Sequence, residues 1–204
     1  VSETIPFSDL RLAAYCPRKL YYARRGDERG APPETLERRE LAFQYPDLLD
    51  ATDDALARAP LAVSPREFRA NLGRARARFE AWDGLVDPLL RDVYLEGREC
   101  RGVAHKVLDS PLVPSIVSPG RPPPEGVWRP QAVKAVAAAK ALAWEHETPV
   151  ERAFVEYPAH GVVRQIRLTT RRKAAYRLAL RTVRSIDGPP PRLHDESKCS
   201  ACEY

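Results

Sequence analysis

Apolar positions along the 204-residue chain recur at helical spacing in some stretches and alternate in others, and the switches between the two periods lay out most of a fold. Ser8-Asp9 can cap a helix running to about Tyr15. Pro17 suits the first position of a second helix through Tyr22, with Cys16 at its cap. From Gly26 to about Ser64 the chain is polar and proline-bearing, with short helices expected near Leu36 to Leu41 and Leu48 to Leu56, and it reads as a peripheral lobe. Phe68, Leu72, Phe79, Trp82, Leu85, Leu89, Leu90 and Tyr94 then recur at roughly helical spacing, broken at Gly84 and Pro88, which predicts two helical segments.

Glycines 97 and 102 bracket a change to strand-like composition through Arg101 to Leu108. A connector with seven prolines follows from Pro111 to Pro130. Within it Val113 to Val117 reads as an edge strand, because proline cannot donate to a ladder, and Pro122 to Pro124 must be extended. Gln131 to His146 is alanine-rich and gives the strongest helical signal in the chain. Arg152 to Tyr157 and Val162 to Thr169 predict a hairpin around the turn 158–161; Thr170 can cap a last helix to about Ser185, and prolines 189–191 end it. This order argues for an α/β or α+β arrangement, a small mixed sheet covered by helices.

At 44% hydrophobic and 30% charged residues, the composition is that of one globular domain or one domain with small lobes. No apolar run approaches the roughly 18 residues of a membrane span, and no signal-peptide pattern opens the sequence, so a cytoplasmic protein without a membrane partner is expected. The net charge of +5 matters less than its distribution. Arg164 to Arg184 holds eight basic residues and no acidic one, whereas acidic residues crowd Glu34 to Asp54. A directional anion-binding face is expected, with Arg171, Arg172, Lys173 and Arg177 on it and Arg18 and Lys19 as a second basic cluster. Ordinary solvated helix faces remain the alternative. Trp82, Trp128 and Trp144 could stack bases, although core or rim packing is the commoner use of tryptophan.

The chain has four cysteines. In a reducing compartment the spacing of Cys199 and Cys202 is more often a metal or redox site than a disulfide framework. Two intervening residues let both sulfurs reach one metal from a single turn, though redox activity or chance would give the same pattern. Cys16 at a helix start is the natural third ligand, since that position favours a thiolate; Cys100 or His194 are candidates for a fourth.

The segment Tyr15-Cys16-Pro17-Arg18-Lys19-Leu20-Tyr21-Tyr22, taken together with Lys198-Cys199-Ser200-Ala201-Cys202-Glu203-Tyr204, resembles the Cas-four proteins, RecB-like nucleases of CRISPR adaptation that carry an iron-sulfur cluster. The order of the Gln131 helix, the hairpin beginning Val155-Glu156-Tyr157-Pro158 and the following basic helix extends the resemblance to about 60% of the chain. It implies a single domain over 1–204 with a restriction-endonuclease-like α/β core, the PD-(D/E)xK type, in 96–188. A helical lobe in 27–95 and an iron-sulfur lobe from 8–25 and 190–204, joining the N- and C-termini, complete it. It also implies a 4Fe-4S cluster held by Cys16, Cys199 and Cys202. The family's final cysteine has no counterpart before Tyr204, which leaves the fourth ligand to a further segment of chain or to a non-standard group.

For catalysis the resemblance implies an aspartate and a Glu-x-Lys pair on adjacent strands, holding magnesium or manganese and steadying the attacking water. In Gly102 to Val107, His105 stands in the aspartate's place, and in Ser115 to Gly120, Ile116 and Ser118 stand in the places of the Glu-x-Lys pair. The family's upstream histidine has no counterpart, and of its glutamine-tyrosine pair Gln131 is present while Ala135 replaces the tyrosine. Lys106 reads as a snorkelling surface residue and His105 as either structural or metal-binding. Three expectations follow. The first is a Cas-four-like iron-sulfur protein with a degenerate nuclease site that binds DNA, single-stranded or with single-stranded ends, and CRISPR adaptation proteins. The second is an active metal-dependent exonuclease with ligands relocated to Glu99, Asp109 or Glu125. The third is an iron-sulfur scaffold or redox sensor unrelated to CRISPR.

Overall fold

The computed structural model describes residues 3–26, 33–109, 111–193, 195 and 199. Their fold is α/β, a mixed open sheet of six strands with helices on both faces. The elements are β1 (Ile5–Pro6), α1 (Phe7–Tyr15), α2 (Pro17–Arg24), α3 (Pro33–Phe43), a 3-10 turn (Tyr45–Leu48), α4 (Asp53–Arg58), α5 (Pro65–Arg78) and α6 (Trp82–Val86). Then come β2 (Leu90–Glu96), β3 (Cys100–Leu108), β4 (Val113–Val117), α7 (Arg129–Glu145), β5 (Arg152–Tyr157), β6 (Val162–Arg167) and α8 (Thr170–Ser185). Among the described residues no helix is long and apolar enough to cross a membrane.

The strand order is β1-β3-β4-β5-β6, with β2 antiparallel to β3. β3 and β4 are antiparallel, β4 and β5 parallel through the α7 crossover, and β5 and β6 form the antiparallel hairpin. The main core lies between one face of this sheet and α1, α7 and α8. Ala135, Ala137, Ala138, Ala139 and Ala141 are all buried in α7, so the sheet side approaches the helix closely. At Gly97, just after β2, a Cβ would stand 2.8 Å from the Ala141 Cα, which excludes any side chain there.

The segment read as a peripheral lobe covers the other face of the sheet. Leu85 and Phe79 pack with Leu108, Val113 and Phe154, and the Phe79 and Phe154 rings meet edge to face at 5.0 Å. Farther out, Tyr45, Leu56, Phe68, Leu72 and Trp82 form a third apolar cluster, which places Trp82 in packing. The turn between β5 and β6 is pressed onto α5: Asn71 Nδ2 donates to Ala159 O at 2.6 Å, and Gly161 has φ +58° with its Cα against the Asn71 carbonyl.

Two elements differ from the sequence expectation. Leu90 and Tyr94 lie in β2, not in a helix; Pro88 ends the helical run, and Leu90 to Glu96 form a strand that pairs with β3. β4 is interior rather than an edge, paired with both β3 and β5. Pro114 is tolerated because the β5 ladder spans Ser115 to Val117, so the missing N–H falls outside it. The caps also shift. Thr169, not Thr170, caps α8 through a 3.5 Å bond from the Arg172 N–H, and α1 begins at Phe7 without a side-chain cap.

Candidate functional site

Side-chain alternation in β3 breaks at His105. Ala104 and Val107 both belong to the main core, while Lys106 and Leu108 turn to the opposite face. Lys106 is therefore no surface residue: it is 2% exposed, and its Nζ lies 2.7 Å from Oε2 of Glu156 on β5, itself 1% exposed. Ser115 Oγ on β4 donates to Glu156 Oε1 at 2.5 Å, and the Tyr45 hydroxyl donates to Glu156 Oε2. Lys106 Nζ donates as well to the Tyr45 hydroxyl at 3.0 Å and stands 4.2 Å from that ring's centroid. Burial lowers the Lys106 pKa and Glu156 opposes that shift; burial, then the Glu156 charge, raises that of Tyr45. All four side chains of this quartet are buried, and through Tyr45 it fastens the helical segment to the sheet.

His105 itself is half-buried. Its Nδ1 accepts from the Val117 N–H at 2.8 Å, and its ring stacks on Phe43 at 4.5 Å. Burial, with Lys134 and Lys106 nearby, pushes its pKa down to about 3, so the ring is neutral and used structurally. Lys134 is itself lowered to about 8 by burial and by the Arg11 charge. Ile116 is in the main core, and Ser118 Oγ accepts from Gln131 Nε2 at 3.5 Å. The place of the expected metal site is thus lined by cations, a neutral histidine, an isoleucine and a serine. That donor set does not fit magnesium or manganese, which require carboxylate oxygens. Glu99, at the start of β3, and Asp109, past its end, flank a nine-residue strand, and Glu125 is exposed in the connector. Among the described residues no three histidine, cysteine or acidic side chains converge as a metal site.

The C-terminal segment returns to the first two helices. Arg18 Nη1 on α2 donates to Pro190 O at 2.9 Å, and Arg24 Nη1 donates to Val183 O at 3.2 Å. Tyr15 and Pro17, which flank Cys16, share a cleft of about 880 Å³ with Leu193 and Asp195. Cys16 is half-buried at the α1–α2 junction, and Cys199 is exposed, its backbone N–H bonded to Asp195 O at 3.0 Å. Two thiols on segments that the fold draws together suit a soft metal centre in their chemistry. Cys202 and His194 lie outside the described residues. Cys100 is sealed in the main core, where its Sγ accepts from the Tyr176 hydroxyl at 3.2 Å and burial pushes its thiol up to about 11. That removes it as a fourth ligand, because a thiolate is disfavoured there.

The expected basic face is part of a groove between α7 and α8, with a volume of about 810 Å³. Arg171 and Arg172 line it, with Arg129 and Arg181 opposite and beside them, and no acidic residue is among its described lining residues. Arg172 also donates to Arg167 O at 2.9 Å, which fixes it against the sheet. Arg129 and Leu178 continue into the 880 Å³ cleft, whose wall includes Arg11 and Trp128. Trp128 is 49% exposed and held by a 2.8 Å bond from Nε1 to Arg121 O. Lys173 and Arg177 are exposed on the far flank of α8, whereas Arg18 is occupied internally, by Pro190 O and by Tyr22 at 3.0 Å. Lys19 is half-buried on α2, apart from the α8 face in sequence. Trp144 is exposed on the last turn of α7. Arg129 and Arg181 were not singled out from sequence, although both lie at helical positions whose charge was visible.

Comparison with models of protein families finds none that matches the chain. No curated protein matches it significantly.

Proposed function

We propose that this chain is a Cas-four-like DNA-binding protein that engages single-stranded DNA, or DNA with single-stranded ends, and does not cut it. The observation that carries this reading is the α7–α8 groove. Four arginines from two helices rim an apolar floor with no acidic residue among the groove's described lining residues, and an exposed tryptophan stands at its continuation, a cleft that also takes in Asp195. The crossover from β4 through α7 to a parallel β5 supports the restriction-endonuclease-like reading of the core. The isoleucine, serine and neutral histidine at the family's metal position support loss of cleavage. Cys16, Cys199 and Cys202 would hold a 4Fe-4S cluster at the meeting of the chain ends; its contribution is structural, pinning the tail to α1 and α2.

The test is anaerobic purification followed by iron and sulfide analysis, DNA binding across a salt series, and a manganese-dependent assay on end-labelled single-stranded DNA. Iron with salt-sensitive binding and no cleavage is the expected result. Metal-dependent cleavage would overturn the degenerate site, an iron-free protein would overturn the cysteine assignment, and salt-insensitive or absent binding would favour the scaffold reading.

A further inference from the structure

The flank of α8 away from α7 carries a second cleft, of about 620 Å³, that a single DNA strand in the first groove leaves unexplained. Arg152 at the start of β5, Arg167 at the end of β6 and Lys173 on α8 stand around it. Leu112, Val113 and Leu168 supply an apolar floor, and Glu151 is the acidic side chain among its described lining residues. The α7 groove has the same design, with Arg129, Arg171 and Arg181 around Val127, Val133 and Leu178. Thr169 lines both. The two clefts therefore meet at the start of α8: the α7 groove runs on along the helix to Arg181, whereas the second cleft touches α8 at Lys173 and extends over the ends of β5 and β6. Helical spacing agrees: Lys173, Arg177 and Arg184 share one side of α8, and Arg171 and Leu178 share the other.

A cationic rim over an apolar floor suits an unpaired strand, whose phosphates take the rim and whose bases cover the floor. A duplex keeps its bases stacked and offers phosphates and groove edges, which would leave both floors in water. A lone strand fills one cleft. We infer that α8 is a separator between two single strands, and that the ligand is a nucleic acid whose strands diverge, a splayed duplex end or fork, with one strand on each flank. The inference rests on the DNA-binding reading above. A physical cost in the sequence agrees with it. Arg171, Arg172 and Lys173 occupy the first turn of α8, which contains no acidic residue, so three cations face the positive end of the helix dipole. Phosphates at the meeting point of the clefts would relieve that repulsion.

The experiment is fluorescence anisotropy on the anaerobically purified protein at one fixed ionic strength, with three probes: a single strand, its matched duplex, and a Y-shaped fork sharing that strand. The fork is expected to bind at least about tenfold tighter than either other probe, because its two arms are linked. The double variant Arg152→Gln/Arg167→Gln should remove that advantage while single-strand binding through the α7 groove persists. Arg129→Gln/Arg181→Gln should weaken the single strand and the fork together. Circular dichroism of each variant separates these outcomes from misfolding. A fork bound no tighter than the single strand, or a Arg152/Arg167 variant that weakens both equally, overturns the separator and leaves the DNA-binding reading standing. Binding of none of the three probes overturns both.

Discussion

Lys106 on β3 and Glu156 on β5 meet across the intervening strand β4, Nζ to Oε2 at 2.7 Å, with Ser115 and Tyr45 completing the contacts of the carboxylate. Neither residue is near the other in sequence. A charge pair this deeply buried gains little net stability over apolar residues of similar volume, but losing one member leaves the other uncompensated. Glu156→Gln or Lys106→Met alone should each lower the unfolding free energy by about 3–5 kcal/mol, whereas Lys106→Met/Glu156→Leu together should recover most of the loss. Urea unfolding midpoints at constant m-value check both statements.

Tyr45 links that pair to the helical segment before β2. Tyr45→Phe keeps the ring over Lys106 and removes the hydroxyl that donates to Glu156, so a loss of about 1.5–3 kcal/mol is expected, the range for a bond to a charged group. Protease cleavage within α3 to α5 should accelerate in the variant, with less change in α7 and α8. Equal acceleration everywhere would show that Tyr45 supports the whole fold and not this attachment.

Gly161 holds φ +58° with the Asn71 carbonyl against its Cα. Gly161→Ala should therefore destabilise by more than about 1 kcal/mol, because both the left-handed backbone and the close approach of α5 oppose a methyl group. A thermal melt reads the effect directly. An unchanged midpoint would mean that the β5–β6 turn separates from α5 at no cost.

Acid stability should depend on His105. In the unfolded chain a histidine takes up its proton near pH 6.5, whereas the folded protein resists this until about pH 3, so protonation favours the unfolded state. The contribution of His105 is fully present above about pH 6.5 and is lost as pH falls from there toward 3. His105→Gln, which keeps an acceptor for the Val117 N–H, should flatten the decline of melting temperature between about pH 7 and pH 4 relative to the parent protein. Parallel pH profiles would contradict the structural role of the neutral ring.

Salt dependence should report the α7–α8 groove. Arg129→Gln and Arg181→Gln should each weaken single-stranded DNA binding without regard to sequence and reduce the slope of log affinity against log salt by about 1 or less. Arg18→Gln should leave that slope unchanged, because its guanidinium is already bonded to Pro190 O and Tyr22. A reduced slope in the Arg18 variant would move the DNA contact to the α1–α2 junction.

The sequence by itself determined the elements whose signals are local. The alanines of α7, the basic stripe of α8, the β5–β6 hairpin and the Cys16-Pro17 helix start are all written in spacings of a few residues. β2 escaped because its apolar residues extended the helical rhythm before them, and only pairing with β3 makes Leu90 to Glu96 a strand. Likewise Lys106 looked like a surface lysine because nothing nearby in sequence announced Glu156. The break in alternation at His105 turned it inward, and the packing of strands 50 positions apart supplied its partner. Arg129 and Arg181 became one groove with Arg171 through the packing of α7 against α8. Periodicity is a property of neighbouring residues, whereas a buried charge network or a groove between two helices is a property of which distant segments share a surface, and that is decided only when the whole core closes.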